Sequence, residues 1–463
     1  MKKLSRYICL LLAGLMIIPL AACDQKTPEN QGSEELGKYE IVSVKYPEMA
    51  PYPNESEFIK NNGEFDSEGF DKVYEAWRRD KEKQNAGYVN GYQGELNDFI
   101  SALINELLKD NDGENVTCSP INIYMALAML AETTEGETRA QILDLLGAAS
   151  VEEVREQAKN IWNAAYIDDG ASTTVLANSL WLRDDLEYKP EVFNTLANNY
   201  YASSFKGEMG SEEFNQALRD WINEQTGGLL KEQASGLKLD PATVLALAST
   251  IYFREKWDSQ FSPNKNDEKV FHSAKGDETV TFMNQSEAQE YCWADKFAVV
   301  AKRFTNNGSM MFFLPDEGVT PEELLMDEQF LGFVCDAQTF YEWADSKYLI
   351  VNMSVPKFDV SSDIDLANGL KQLGIVDAFD SEKADFSPIS DLENVYLDTA
   401  KHAARVKIDE EGCEAAAYTV MAMCGAAMPP QEEVDFVLDR PFIFVIKDSS
   451  NLPLFVGIVN TLN

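Results

Sequence analysis

The sequence predicts an α+β fold built on large β-sheets, and three observations carry that expectation. Helical spacing of apolar residues dominates between Gly94 and Gly147. From Thr173 onward, β-rich runs alternate with isolated helical stretches and long connections. The chain has 463 residues, 45% apolar and 25% charged, which is ordinary globular composition with material for a sizeable core.

The first 22 residues are expected to be removed before folding. Lys2, Lys3 and Arg6 form a basic start, and Tyr7 to Leu20 is apolar but too short for a comfortable membrane span. The run ends in Leu20-Ala21-Ala22-Cys23. That string resembles the lipobox of bacterial lipoproteins, in which cleavage precedes the cysteine and its thiol carries diacylglycerol. The resemblance implies a signal peptide at 1–22 and lipidation at Cys23. It also implies an exported bacterial lipoprotein, membrane-anchored through its N-terminal lipid alone, periplasmic or at the cell surface.

Residues 23–92 read as a linker and N-terminal extension. Asp24 to Gly37 is a polar tether. Tyr46 to Pro53 is an extended Pro-rich segment. Phe65 to Gln84 suits an amphipathic helix, with Phe70, Val73, Tyr74 and Trp77 at helical spacing, read as docked on the surface.

Residues 93–463 form the main domain. Phe99, Leu103, Leu107 and Leu108 mark a first helix. Ser119-Pro120 caps and opens a second, Ile121 to Leu130, because Ser accepts from orphan amides and Pro suits the first turn. A third runs from Gly136 and stops at Gly147. Thr173 to Leu182, Thr243 to Phe253, Met310 to Leu314, Leu349 to Pro356 and Phe442 to Ile446 are strand-like. Pro190 to Tyr200 and Glu212 to Glu224 are helical.

Composition excludes several functions. Lys plus Arg is 39 against 78 Asp plus Glu, a net charge of −39, so a general basic surface for nucleic acid is excluded. The two histidines, His272 and His402, leave little room for a His-rich metal site. No G-x-S-x-G, H-E-x-x-H, Walker or G-x-G-x-x-G string occurs, so no enzyme, cofactor or metal is expected. Outside the signal and Cys23, five cysteines remain, Cys118, Cys292, Cys335, Cys413 and Cys424, without C-x-x-C spacing. They are expected to be buried free thiols.

One segment is odd on plain grounds. After a strand-like Arg405 to Ile408 come Glu410-Glu411-Gly412-Cys413-Glu414-Ala415-Ala416-Ala417, then a mostly apolar run to Met428 and Pro429-Pro430. Such a stretch has neither helical caps nor a hairpin turn. Exposed, it is an aggregation hazard unless it has a job.

This segment resembles the reactive-loop hinge of serpins, the protease-trapping inhibitors. Their hinge reads Glu-Glu/Lys-Gly-Thr/Ser-Glu-Ala-Ala-Ala. Collinear resemblances flank it: Asn115 to Ile121 with Ala126 to Leu130, Leu247 to Trp257, Val355 to Phe358, Leu373 to Ile375, Ala384 to Ser387, Arg440 to Phe444 and Pro453 to Gly457. The resemblance implies three β-sheets, eight to nine helices and an exposed reactive-centre loop. It also implies trapping of a serine or cysteine protease as its acyl-enzyme, by insertion of the cut loop into the main sheet. A non-inhibitory member acting as a binding or chaperone module is the alternative.

The family's residue roles carry over one by one. Glu410 to Ala417 and Thr419 match the hinge. Ser119 and His402 match the shutter cluster, with Ser249 in place of its usual Asn and Asn122 in place of a second Ser. Trp257 matches the breach tryptophan. Alternation of an inserted strand puts Cys413, Ala415, Ala417, Thr419, Met421 and Met423 on one face. Glu414, Ala416, Tyr418, Val420 and Ala422 take the other. The scissile bond is expected at Ala426-Ala427, with Met423-Cys424 as the second choice. A small residue there suits elastase-like or subtilisin-like proteases and excludes trypsin-like ones. A monomer is expected.

Overall fold

The computed structural model describes residues 36–53, 55–60, 64–85, 93–335, 345–392, 395–397, 400–413 and 430–462. Cys23, the hinge beyond Cys413 and both candidate scissile bonds lie outside the described residues.

Strand β1 (Glu40–Val42) opens the described chain, and helix α1 (Ser67–Asn85) follows, close to the helix expected at Phe65 to Gln84. Helix α2 (Gln93–Leu108) and strand β2 (Val116–Cys118) lead to α3 (Pro120–Thr133). Ser119 caps α3, its Oγ accepting from the Asn122 N–H at 3.3 Å. Helix α4 (Gly136–Leu145) stops at Gly147, whose φ of +67° suits glycine. Then come α5 (Val151–Ala165), β3 (Ile167–Asp168), β4 (Thr173–Arg183), α6 (Pro190–Tyr200) and β5 (Ala202–Gly207). Helices α7 (Glu212–Gln225) and α8 (Lys231–Ser235) precede β6 (Leu245–Lys256).

The second half is mostly strand. It contains β7 (Asp267–Ser273), β8 (Gly276–Trp293), β9 (Phe297–Arg303) and β10 (Ser309–Pro315). Short helices α9 (Pro321–Leu324) and α10 (Glu328–Cys335) precede β11 (Asp345–Pro356), β12 (Phe358–Asp365) and α11 (Leu366–Gln372). The chain then forms β13 (Lys401–Ile408), β14 (Gly412–Cys413), β15 (Glu433–Val437), β16 (Phe442–Lys447) and β17 (Pro453–Val459).

Among the described residues the strands make two hydrogen-bonded sheets, of eight and nine strands. The first runs β1-β5-β4-β6-β14-β13-β12, with β3 on β4; the second runs β15-β11-β8-β9-β10-β16-β17-β2, with β7 on β8. The resemblance implies three sheets. The difference arises because β8, 18 residues long, pairs with β7 early, with β11 along its second part and with β9 at its end, so one ladder joins what would be two. Eleven α-helices are described rather than eight or nine; α1 belongs to the extension, and α8 and α9 are single turns.

Helix α3 is apolar on nearly every face and is buried on nearly every face, because it lies between the sheets against β6 and β17. Strand β4 is likewise buried along its whole length up to Arg183. The extension is fastened to this body. Strand β1 adds antiparallel to β5 at the edge of the first sheet. Tyr46 packs among Trp162, Tyr166 and Tyr201 and donates its hydroxyl to Gln225 Oε1 at 3.2 Å. Trp77 on α1 is buried, and its indole donates to Asp169 Oδ2 at 3.0 Å.

Candidate functional site

The hinge turns tightly at the top of the first sheet. Strand β13 ends at Ile408, the chain reverses through Asp409-Glu410-Glu411, and Gly412–Cys413 returns as β14. One carboxylate oxygen of Asp409 accepts from the N–H groups of Glu411 (2.9 Å) and Gly412 (3.2 Å), and the Asp409 N–H donates to the Gly412 carbonyl at 3.0 Å. This side-chain mimicry of a backbone turn is what Asp does well.

Strand β14 is antiparallel to both neighbours. Cys413 pairs with Ile408 on β13, while Gly412 pairs with Lys256 and Cys413 with Glu255 on β6. Among the described residues, β6 and β13 are joined in the sheet only through β14. A Cβ at Gly412 would lie 2.1 Å from the Glu255 carbonyl oxygen and 2.8 Å from Lys256 Cα, so only glycine fits there. Cys413 is buried, as expected of its small side chain, and so are Cys118, Cys292 and Cys335. Cys424 lies outside the described residues.

Three groups receive the turn's carbonyls. The Trp257 N–H donates to Glu411 at 2.9 Å, the Trp257 indole N–H to Asp409 at 2.9 Å, and the Phe261 N–H to Glu410 at 3.0 Å. Trp257 is fully buried and stacks on Phe304 with ring centres 4.8 Å apart. Lys302 Nζ lies 4.4 Å from the Phe261 ring centre and 5.8 Å from that of Trp257, and burial holds its pKa down at about 8. The Glu410 carboxylate meets Lys357 Nζ at 2.7 Å and the Asn266 amide. Burial pushes this carboxyl up, but the bonds from Lys357 and Asn266 outweigh it, and the group stays below the usual carboxylate range.

Deeper in the same sheet, the residues expected to form a shutter cluster are joined by hydrogen bonds. The Ser119 N–H donates to His402 Nε2 at 3.0 Å. His402 is buried without a charge partner, and burial pulls its pKa down to about 4. Its Nε2 therefore accepts, and the proton of the neutral ring sits on Nδ1. Ser249 Oγ lies 2.7 Å from Asn178 Oδ1 and also against Asn122 Oδ1; having one proton, it donates to one of them at a time. The Asn122 amide donates back to the Ser249 carbonyl at 3.1 Å, and the Asn178 amide to the Tyr200 carbonyl at 2.8 Å. The exchange of Ser and Asn between Asn122 and Ser249 thus keeps a hydrogen-bonded pair, linking α3 to β6.

At the lower end, the starts of β6 and β13 frame a cleft of about 380 Å³ over α3. Its described lining includes Leu127, Leu130, Leu247, Leu366, Leu370 and Leu397.

Four of the residues at this site escaped the sequence reading. Asn178 is a polar break in the apolar run Thr173 to Leu182, which is a readable signal. Glu255 gives none: it is fully buried opposite Cys413, accepts from Ser172 Oγ at 2.7 Å and from the Asn306 amide, and burial pushes its pKa well above the carboxylate range. Lys357 and Asn266 reach Glu410 from distant parts of the chain.

Residues 95–462 match the family described as "Serpin (serine protease inhibitor)". The leukocyte elastase inhibitor of Sus scrofa is 31% identical over 373 residues, covering 78% of this chain and 96% of the relative. The alpha-1-antiproteinase of Rattus norvegicus is 29% identical over 373 residues, covering 78% of this chain and 87% of the relative. The native-state structure of the thermophilic serpin tengpin superposes with a TM-score of 0.71 at 28% identity, covering 81% of this chain and 95% of that one.

Proposed function

The chain belongs to the serpin family, and on that premise we propose that it inhibits serine proteases by trapping the acyl-enzyme. Serpins are generally protease inhibitors rather than enzymes. In the proposed sequence of events, a protease attacks the loop between Gly412 and Pro430, and the cut loop then enters the first sheet as a new strand before deacylation. Cysteine proteases form the second target class, since they too pass through an acyl-enzyme.

One observation carries this reading. Gly412–Cys413 already stands as a strand hydrogen-bonded on both sides between β6 and β13. Continuing that register residue by residue places Ala415, Ala417 and Thr419 opposite Phe253, Ile251 and Ser249 on β6. On β13 they fall opposite Val406, Ala404 and His402. That face of both strands points inward, with Phe253, Ile251, Val406, Ala404 and His402 buried. Small residues would meet bulky ones, and Thr419 would arrive beside the polar pair Ser249 and His402. A dozen new ladder bonds at roughly 1 kcal/mol net each give the conversion a gross drive of about ten kcal/mol.

The proposed scissile bond is Ala426-Ala427, with elastase-like or subtilisin-like proteases as targets. A small primary residue fits a narrow apolar pocket, and no Lys or Arg occurs between Gly412 and Pro430. The name of the porcine relative, an elastase inhibitor, agrees with this choice. The chain is further proposed to be an exported bacterial lipoprotein held at the membrane by Cys23, on the strength of its N-terminal string.

The test is incubation with pancreatic elastase, boiling in detergent, and N-terminal sequencing of the fragment released from the complex. A complex that survives boiling and a fragment starting at Ala427 are expected. A start at Cys424 moves the bond to Met423, and rapid trapping of trypsin contradicts the specificity argument.

A further inference from the structure

The ladder that holds β14 points to one more rung, and both residues framing that rung are cationic. Gly412 pairs with Lys256 and Cys413 with Glu255 on β6, and Cys413 with Ile408 on β13. One step on, the flanking residues are Arg254 and Lys407. Side chains alternate along each strand, and cross-strand partners share a face. Glu255 and Ile408 are buried, Arg254 is half-buried and Lys407 is exposed, so this rung faces outward. With one strand between them, the two positions stand about 10 Å apart.

Among the described residues, neither cation has an ion-pair partner. Arg254 donates to Thr173 Oγ1 at 3.4 Å and lies within electrostatic reach of Asp168, which shares its rung through Thr173, and of the buried Glu255. Lys407 pairs in register with Asp359, but the Asp359 carboxylate is held by Arg405 through two bonds of 2.7 and 2.8 Å. The two acids at this level, Asp168 on β3 and Asp359 on β12, stand on the far sides of the cations, so the gap below β14 has a cation on each flank and, among the described residues, no acid between them.

We propose that Arg254 and Lys407 form a clasp for the carboxylate of Glu414, the residue after Cys413, when the loop enters the sheet. The proposal rests on the insertion reading above. Glu414 is the only charged residue between Glu411 and Pro430. In the continued register it falls at the only outward rung flanked by cations on both sides. The rungs below it are Tyr252 with Arg405, Thr250 with Ala403, and Ala248 with Lys401. A slip of one residue would turn Glu414 inward among apolar side chains, where an unpaired carboxylate is costly. The clasp therefore acts as a positioning pair that sets the register of the first rung to form after cleavage.

The experiment nicks the loop of the full chain with a zinc metalloprotease, which forms no acyl-enzyme and so cannot be trapped. Thermal unfolding is compared before and after nicking, alongside the stoichiometry of inhibition of elastase. The variants are Arg254→Glu with Lys407→Glu, Glu414→Lys, and all three together, with Arg254→Gln and Lys407→Gln as a milder pair in case the reversals fold poorly. Wild type is expected to gain thermal stability on nicking. Each partial reversal is expected to shrink that gain and raise the stoichiometry about two- to tenfold, as two exposed pairs allow, and the triple variant to restore both. Salt should shrink the wild-type advantage. If the double reversal behaves like wild type, or the triple variant fails to rescue Glu414→Lys, the clasp is wrong while insertion stands. If nicked wild type gains nothing, the insertion reading falls and the clasp with it.

Discussion

The backbone N–H of Ser119 donates to Nε2 of His402 at 3.0 Å, tying the capping residue of α3 to strand β13. The bond needs a neutral imidazole, and burial keeps it neutral down to about pH 4. The unfolded chain takes that proton near pH 6.5. The stability contributed by the neutral ring is therefore complete above pH 6.5 and is lost as pH falls from 6.5 to about 4. The difference is on the order of 3 kcal/mol. Denaturant unfolding at several pH values should show a steeper acid decline for wild type than for His402→Gln. Parallel profiles would contradict this.

At Gly412, substitution by alanine is expected to destabilise the native form by about 1–3 kcal/mol, because the new Cβ must displace the β6 backbone at Glu255. Thermal unfolding checks it. Unchanged stability would mean that β14 does not sit between its neighbours as described.

The extension should matter to stability even though it precedes the family match. Trp77 is buried and bonded to Asp169. Trp77→Ala is expected to cost about 3–5 kcal/mol in denaturant unfolding, like other large-to-small changes. A loss below half a kcal/mol would show that α1 is only loosely laid on the body.

Much of this was legible in the sequence, and what was not has physical reasons. Strand β4 and helix α3 were readable because burial on every face leaves an unbroken apolar run, and Ser119 was readable as a cap. The turn at Glu410 to Gly412 was readable from the string that resembles the family's hinge, whereas Ala415 to Ala417, which made that string stand out, lie outside the described residues. Helix α5 and strands β7 to β9 were missed. In β8, polar residues such as Glu278 and Glu287 are themselves half-buried between exposed neighbours, and no continuous apolar signal emerges. Glu255 was invisible because a glutamate in a strand reads as surface until Ser172 and Asn306 are seen around it. Lys357 could not be matched to Glu410, since the pairing exists only in three dimensions.

The anchor is tested at Cys23. Cys23→Ser is expected to abolish incorporation of labelled palmitate and to shift the protein from the detergent phase to the aqueous phase. Wild-type partitioning with retained label would contradict the lipoprotein reading.

The central claim is that the cut loop becomes a strand between β6 and β13, and one position tests it most directly. In the continued register, Ala415 falls between Phe253 and Val406 on the inward face, both buried. An arginine there would have to bury an unpaired charge. The decisive measurement is the stoichiometry of elastase inhibition by Ala415→Arg. The account predicts a substrate, cleaved at the loop with little or no detergent-resistant complex. Full stoichiometric inhibition by this variant would contradict insertion as the mechanism.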